Sequence, residues 1–316
     1  MIWLTWRQQR TEALIAFLLL VLVAALIVPT GLQMASVYDS QGIAACLTDP
    51  SDECRQTLDS FTSRWDMLLS FVGWLSLVPM LLGALIAAPL ILEFERGTFR
   101  LAWTQSVTRD RWLAIRVGLV VAASLATGLF FTLLMTWWRD PLDDINGQFS
   151  EGFDFEGVVP VSYTLFAAGL VLALGVSLRR AAAAIGLAFV LFFAVRIGIG
   201  NWARPNYQER IDASWTEGPG PDLAGAWVFR QGGEFRVADG GPAPDPAVVE
   251  GCLDGPATKK FDPVCLADHG IEVVEHATYH PASRFWLFQA MEASIFVAMT
   301  LALLAFSVWW IRKRIS

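Results

Sequence analysis

Long stretches free of charge alternate with short charged segments along this chain. Six of them, 13–37, 67–92, 117–138, 157–178, 181–200 and 285–311, are long enough to cross a membrane. A hydrocarbon core about 30 Å thick takes roughly 20 helical residues. Four of the stretches carry no charged residue, the fifth holds Arg196 and the sixth Glu292. Lipid offers no partner for backbone N–H and C=O groups, so a span is a helix or part of a closed barrel. The runs are continuous and lack two-residue alternation, which excludes the barrel. The pattern predicts an all-α polytopic membrane protein with six transmembrane helices. The first run is too long for the apolar segment of a cleaved signal peptide and reads as a retained span.

Composition agrees with this reading. The chain is 55% hydrophobic and 17% charged, against about 25% charged residues in an ordinary soluble domain. Tryptophans gather at the ends of the apolar runs, among them Trp65, Trp112, Trp137, Trp138, Trp202, Trp286, Trp309 and Trp310, where amphipathic rings meet the lipid headgroups. No basic face suited to nucleic acid is present. The net charge of −7 conceals a sorting by position. With the N-terminus cytoplasmic, the inner segments hold 12 of the 23 basic residues, including Arg179, Arg180, Arg312, Lys313 and Arg314. The loop 139–156 holds a single Arg among six acidic residues. The excess of basic residues in cytoplasmic loops therefore places both termini in the cytoplasm.

All four cysteines then fall in outer loops, Cys46 and Cys54 in the first, Cys252 and Cys265 in the last. Disulfides persist in oxidising compartments, so the placement suits two bridges. Pairing within each loop is simplest, with a bridge between loops or four free thiols as alternatives. The last outer segment, 201–283, carries nine Pro, ten Gly and 13 acidic against six basic residues. It reads as a small, loop-rich extracytoplasmic domain stapled because its core is thin. Residues 227–237, with Gly232-Gly233 at their centre, read as a β-hairpin, and Ile271-Glu272-Val273 as a further short strand. His269, His276 and His280 lie here too. Pro281 and the strand-like residues before it argue against a helical metal site, which leaves surface histidines and no metal.

Three inner segments remain. Residues 1–12 place Trp3, Trp6, Arg7 and Arg10 at helical spacing, which fits a helix lying in the membrane interface against lipid or a basic anchor for the first span. Residues 93–116 end a span in Glu93 and Glu95, break at Gly97-Thr98, and continue through a short, partly apolar stretch containing Phe99, Leu101, Trp103 and Val107. Apolar residues beside charges in an inner loop suit a docking surface for another protein or packing on the chain's own bundle. The tight turn at Arg179-Arg180 makes its two helices antiparallel neighbours, and the small residues after it allow close packing.

The string Glu93-Phe94-Glu95-Arg96-Gly97-Thr98, followed by Ser106 and Arg109 ahead of the third span, resembles the loop after the second span of type-2 ABC exporter permeases. The whole chain is similar to an actinobacterial-type branch common in high-GC Gram-positive bacteria. The similarity includes Thr5-Trp6-Arg7-Gln8-Gln9-Arg10, Leu101-Ala102-Trp103-Thr104-Gln105-Ser106-Val107-Thr108-Arg109 and Pro281-Ala282-Ser283-Arg284-Phe285-Trp286. The resemblance implies that the N-terminal interfacial helix and the loop 93–112 touch a separate ATPase subunit. By that likeness Glu93, Glu95, Arg96, Gly97 and Thr98 form an elbow, and Arg100, Trp103, Thr104 and Gln105 face the ATPase. It also implies a bacterial cytoplasmic membrane, a second copy of the chain or a related permease as the other half, and an amphipathic cargo. The segment of about 80 residues between the last two spans departs from the short, re-entrant loop common in such permeases.

The chain has no Gly-x-x-x-x-Gly-Lys-[Ser/Thr] loop, so ATP and Mg belong to a partner ATP-binding subunit in trans, with no cofactor expected on this chain. Charges at membrane depth are functional candidates by default. Arg196 either snorkels to the interface or pairs. Glu292 lies too deep to snorkel and is the leading candidate for a transport path. A membrane-embedded enzyme is the first rival function, but neither an HExxH metal motif nor a Gly-x-Ser-x-Gly elbow is present. The second rival, a membrane-anchored sensor or structural protein with an external binding cap, would not co-purify with an ATPase.

Overall fold

A computed structural model describes residues 2–48, 51–98, 108–149, 152–216, 218, 220–237, 241, 243–253 and 261–314, without the side chains of 2–10 and 12. The chain forms two compact units, one of Met1–Tyr207 with Arg284–Ser316, the other of Gln208–Ser283. The division falls after Tyr207, later than the Gly200 expected from hydropathy, because helical turns carry the fifth span onward.

Among the described residues, the first unit contains six helical stretches long and apolar enough to cross a membrane. Helix α1 is Ile2–Ser40. A short α2, Ile43–Thr48, and α3, Asp52–Val72, follow. A 3₁₀ turn, Gly73–Leu77, joins α3 to α4, Val78–Arg96. Then come α5, Arg109–Asn146, α6, Val159–Leu178, and α7, Ala181–Gly198. The sixth span is α10, Phe285–Arg314.

Two boundaries differ from expectation. Residues 1–12 are expected as a separate interfacial helix, but from Ile2 onward they run into the first span within α1. No Gly or Pro lies between Thr11 and Ala13 to end the helix. Residues 139–146, expected in a loop, are further turns of α5. Arg139 finds its partner Asp143 one turn along that helix, which favours continuation.

Helix α6 is the most buried span and packs against α4, α5, α7 and α10. Small residues make the close approach possible. A Cβ on Gly83 of α4 would lie 2.6 Å from Ala167 Cβ, and one on Gly128 of α5 would lie 3.0 Å from Val161 Cα. The 3₁₀ turn before α4 follows from Pro79, which has no N–H to give to Leu75. Val78 N–H bonds Leu75 C=O instead, tightening the turn.

The second unit is a three-stranded antiparallel sheet of order β1-β3-β2, with β1 Ile211–Trp215, β2 Trp227–Val237 and β3 Ile271–His280. The β-hairpin expected within 227–237 does not form. These residues make one strand whose Gly232 and Gly233 pair with His276 and Glu275 of β3. A partner of ten residues satisfies the whole strand, whereas a hairpin would have satisfied only its own short arms. Two short helices, α8 Pro246–Gly251 and α9 Pro263–Asp268, pack Val249 and Leu266 on Ile271.

Both disulfides close within a loop, Cys46 to Cys54 between α2 and α3, and Cys252 to Cys265 between α8 and α9. Of the histidines expected at the surface, His269 is exposed and His276 is half-buried. His280 is fully buried against Trp227 and Phe229. It ends the central strand, where the rings of β2 cover it.

Candidate functional site

Glu292 of α10 is fully buried and does not stand alone. Arg204 sends Nε to Glu292 Oε2 at 2.7 Å and Nη2 to Oε1 at 2.7 Å. Tyr163 of α6 donates to Glu292 Oε1 at 2.5 Å, and Tyr207 donates to Oε2 at 3.4 Å. Arg204 Nη2 also reaches Asp154 Oδ1 at 2.6 Å. Arg196 of α7 donates to Asp154 Oδ2 at 3.0 Å and to Ser76 C=O at 3.2 Å. Arg196 therefore does not snorkel. It and Glu292 belong to one network, bridged by Asp154 and Arg204 and not by direct contact.

Each member has a local reason for its position. A π-helical turn, Ile199–Ala203, and a 3₁₀ turn, Arg204–Asn206, extend α7 and swing Arg204 over Glu292. The 3₁₀ turn of the second span turns Ser76 C=O toward Arg196. Asp154 stands in the largely buried turn 152–158, which Gln289 of α10 holds at its end. Gln289 Oε1 accepts from Val158 and Val159 N–H at 3.1 and 3.0 Å, and its Nε2 donates to Phe153 C=O at 2.8 Å. One side chain thus caps α6, which has no cap of its own, and ties α6 to α10.

Two arginines face two carboxylates, so the network is neutral. Neutral pairing is the condition under which ions persist where water is scarce. Burial alone would raise the Asp154 carboxyl, but the Arg204 and Arg196 guanidiniums outweigh it and hold it below its ordinary range. Burial, reinforced by Glu292, pushes the Tyr207 phenol up, which keeps it a proton donor. The Arg204 guanidinium also lies 4.0 Å from the Phe153 ring, a cation–π contact.

A second buried cluster adjoins it. Arg139 of α5 donates to Glu156 Oε1 at 2.7 Å and to Asp143 Oδ1 at 3.2 Å. Burial and the neighbouring Asp143 carboxylate push Glu156 up to about 9, so it carries a proton at neutral pH.

At the ends of the spans nearer the termini, the acidic elbow has intramolecular partners. Glu93 pairs with Arg116 of α5. Glu95 Oε2 accepts Ala181 N–H, the first residue of α7, at 2.8 Å. Gly97 ends α4 in the left-handed conformation, φ +71°, which suits glycine at a helix terminus. Thr98 Oγ1 lies 3.5 Å from Glu93 C=O, and Arg96 is exposed. Arg312 pairs with Asp110 across the start of α5. The expected ATPase-facing residues Arg100, Trp103, Thr104 and Gln105 lie outside the described residues, as do the side chains of Trp3, Trp6, Arg7 and Arg10. In the second unit Cys252, Cys265 and His269 cluster, but the two sulfurs are joined to each other, which leaves no thiolate for a metal.

Asp154, Tyr163, Arg204, Tyr207 and Gln289 are the members that a reading of the sequence misses. Three phenylalanines set among acidic residues at 149–156 are the signal that this loop is buried.

Six spans, a neutral ion network between them and an acidic elbow closing the second span define a helical, multi-pass membrane protein. The chain belongs to the ABC-2 membrane transporter related family, whose model matches residues 17–204, from within the first span to the network arginine. No curated protein and no solved structure matches the chain. Membership makes it a transmembrane transporter subunit akin to type-2 ABC permeases.

Proposed function

We propose that this chain is the membrane subunit of an ATP-driven exporter, worked by a separate ATPase that binds the segment 93–112 from the cytoplasm. The observation that carries the reading is the anchoring of the acidic elbow. Glu93 ties the end of α4 to α5 through Arg116, and Glu95 ties it to α7 through Ala181. A displacement of the following segment therefore moves three spans together. Arg100, Trp103, Thr104 and Gln105 form the ATPase contact, with the N-terminal turns of α1 beside them.

ATP and Mg are held by the partner, and closure of two ATPase subunits biases the spans between two states. A second copy of the chain or a related permease supplies the other half. Both termini lie in the cytoplasm, as the basic inner segments favour, and the membrane is a bacterial cytoplasmic membrane. The network of Asp154, Arg196, Arg204 and Glu292 then closes the far end of the path. An amphipathic molecule is the cargo class that suits spans this apolar. Affinity purification of the tagged chain from its native membrane tests the reading. An ABC ATPase should travel with it in stoichiometric amount, and its absence after gentle solubilisation would overturn the proposal.

A further inference from the structure

Beside the Arg139 cluster lies a cavity of about 440 Å³, lined by α3 at Asp66, Leu69, Ser70 and Val72, with Gly73, Arg139 and Phe155. Its volume is within the range of small-molecule pockets, about 300–1,000 Å³. The lining is divided. Leu69, Val72 and Phe155 form the apolar part, and Arg139 with the exposed Asp66 and Ser70 the polar part, where the Ser70 hydroxyl donates to Asp66 C=O at 3.0 Å and keeps its oxygen free to accept.

The charge of the lining is settled by pairing. Arg139 commits Nε to Glu156 and Nη2 to the Asp143 carboxylate, so Asp143 answers its charge within its own cluster. Asp66 has no cationic partner among the described residues, which leaves one carboxylate uncompensated. An anion entering here would face that carboxylate, and a neutral molecule would leave it unanswered. A cation would meet both Asp66 and the Phe155 ring.

The adjoining face of α3 and of the 3₁₀ turn after it shows how such a molecule arrives. Met67 and Phe71 of α3 and Trp74 of the turn, spaced about a turn apart, are 76%, 64% and 71% exposed. Three large apolar side chains exposed in a row on a spanning helix face lipid. The cavity thus opens beside a strip against which an alkyl chain can lie.

We propose that this recess binds a cationic amphiphile drawn sideways from the leaflet away from the termini. The ammonium sits on Asp66 and Ser70, and the chain lies along Met67, Phe71 and Trp74. The proposal deepens the transport reading, on which it rests for the step from ligand to cargo, by naming the substrate class.

The test uses the full chain in phosphatidylcholine nanodiscs without any ATPase. A dodecylammonium probe with a diazirine in its tail is photolysed and its attachment mapped by mass spectrometry. Label should fall on residues 67–74, competed by dodecylammonium well below the concentration needed of dodecyl sulfate or dodecanol. Asp66→Asn should weaken competition about tenfold, the scale of a lost hydrogen-bonded charge, and Asp66→Glu should restore it. Leu69→Trp, which fills the recess, should abolish labelling, with both disulfides intact as the control for folding. Label elsewhere, equal competition by the sulfate, or wild-type behaviour of Asp66→Asn would overturn the proposal. Because the readout needs this chain alone, its failure removes the recess, whereas absence of a co-purifying ATPase removes the transport reading.

Discussion

The Glu95 carboxylate accepts the backbone N–H of Ala181, joining residues 86 positions apart and fastening the end of the second span to the start of the fifth. Negative charge at a helix N-terminus is favourable through both the hydrogen bond and the helix dipole. Under the proposed function this bond is a mechanical link. Glu95→Ala should lose about 0.5–2 kcal/mol of local stability, the range for a helix cap. Under the proposed function it should also lose most of the stimulation of the partner ATPase, while inserting normally. Glu95→Gln keeps an acceptor oxygen and should be intermediate. Stimulated ATPase rates of reconstituted complexes measure both, and wild-type rates in the alanine variant would remove the link.

Arg204 compensates two carboxylates, one of them fully buried, whereas Arg196 serves only Asp154, which Arg204 already answers. Removing one partner of a buried pair leaves an unanswered charge, which costs about 3–5 kcal/mol. Arg204→Ala should therefore lower the thermal midpoint in detergent far more than Arg196→Ala. The double variant Arg204→Met with Glu292→Leu should recover most of the loss, since it removes the charges together. Equal midpoints for the two single variants would show that Glu292 does not depend on Arg204.

The spans were legible because a bilayer demands long apolar helices, and a soluble core seldom calls for charge-free runs of that length. Glu292 was legible too, as a carboxylate too deep to reach water. Its partners were not. Asp154 and Arg204 lie 50 residues apart in the chain, one in a loop, the other past the apparent end of a span. Only a π-helical turn, which hydropathy does not register, brings Arg204 back over the bundle. The hairpin expectation failed for a related reason. A Gly-Gly pair permits a turn, but a long complementary strand elsewhere outcompetes it, and local pattern carries no record of that partner.

Gly157 holds a backbone φ of +66°, and a Cβ there would stand 2.6 Å from Gln289 Oε1. The left-handed conformation alone costs a non-glycine residue roughly 1–2 kcal/mol. Displacing Gln289 would also strip the acceptor from Val158 and Val159 N–H. Gly157→Ala should therefore destabilise the junction of α6 and α10 more than Gln289→Ala does. Hydrogen exchange at the first turn of α6 measures this, and unchanged protection in both variants would deny Gln289 its capping role.

Glu156 gives the fold a pH dependence whose sign can be worked out. Its carboxyl is pushed up to about 9 from an ordinary 4.5 by burial and by the Asp143 carboxylate, with Arg139 opposing. Between those two values the folded chain holds a proton that the unfolded chain has released. Stability from this group is therefore fully present below the lower value, falls as pH rises through the window, and levels off above the higher one. Glu156→Gln removes the titrating proton while keeping an oxygen for Arg139 Nε, so the variant should lack this component of the slope. Thermal midpoints of the full chain in detergent, compared at several pH values from about 5 to 9, read the difference. A variant with the wild-type slope would mean that Glu156 titrates as an ordinary carboxylate and that Arg139 and Asp143 leave no proton between them.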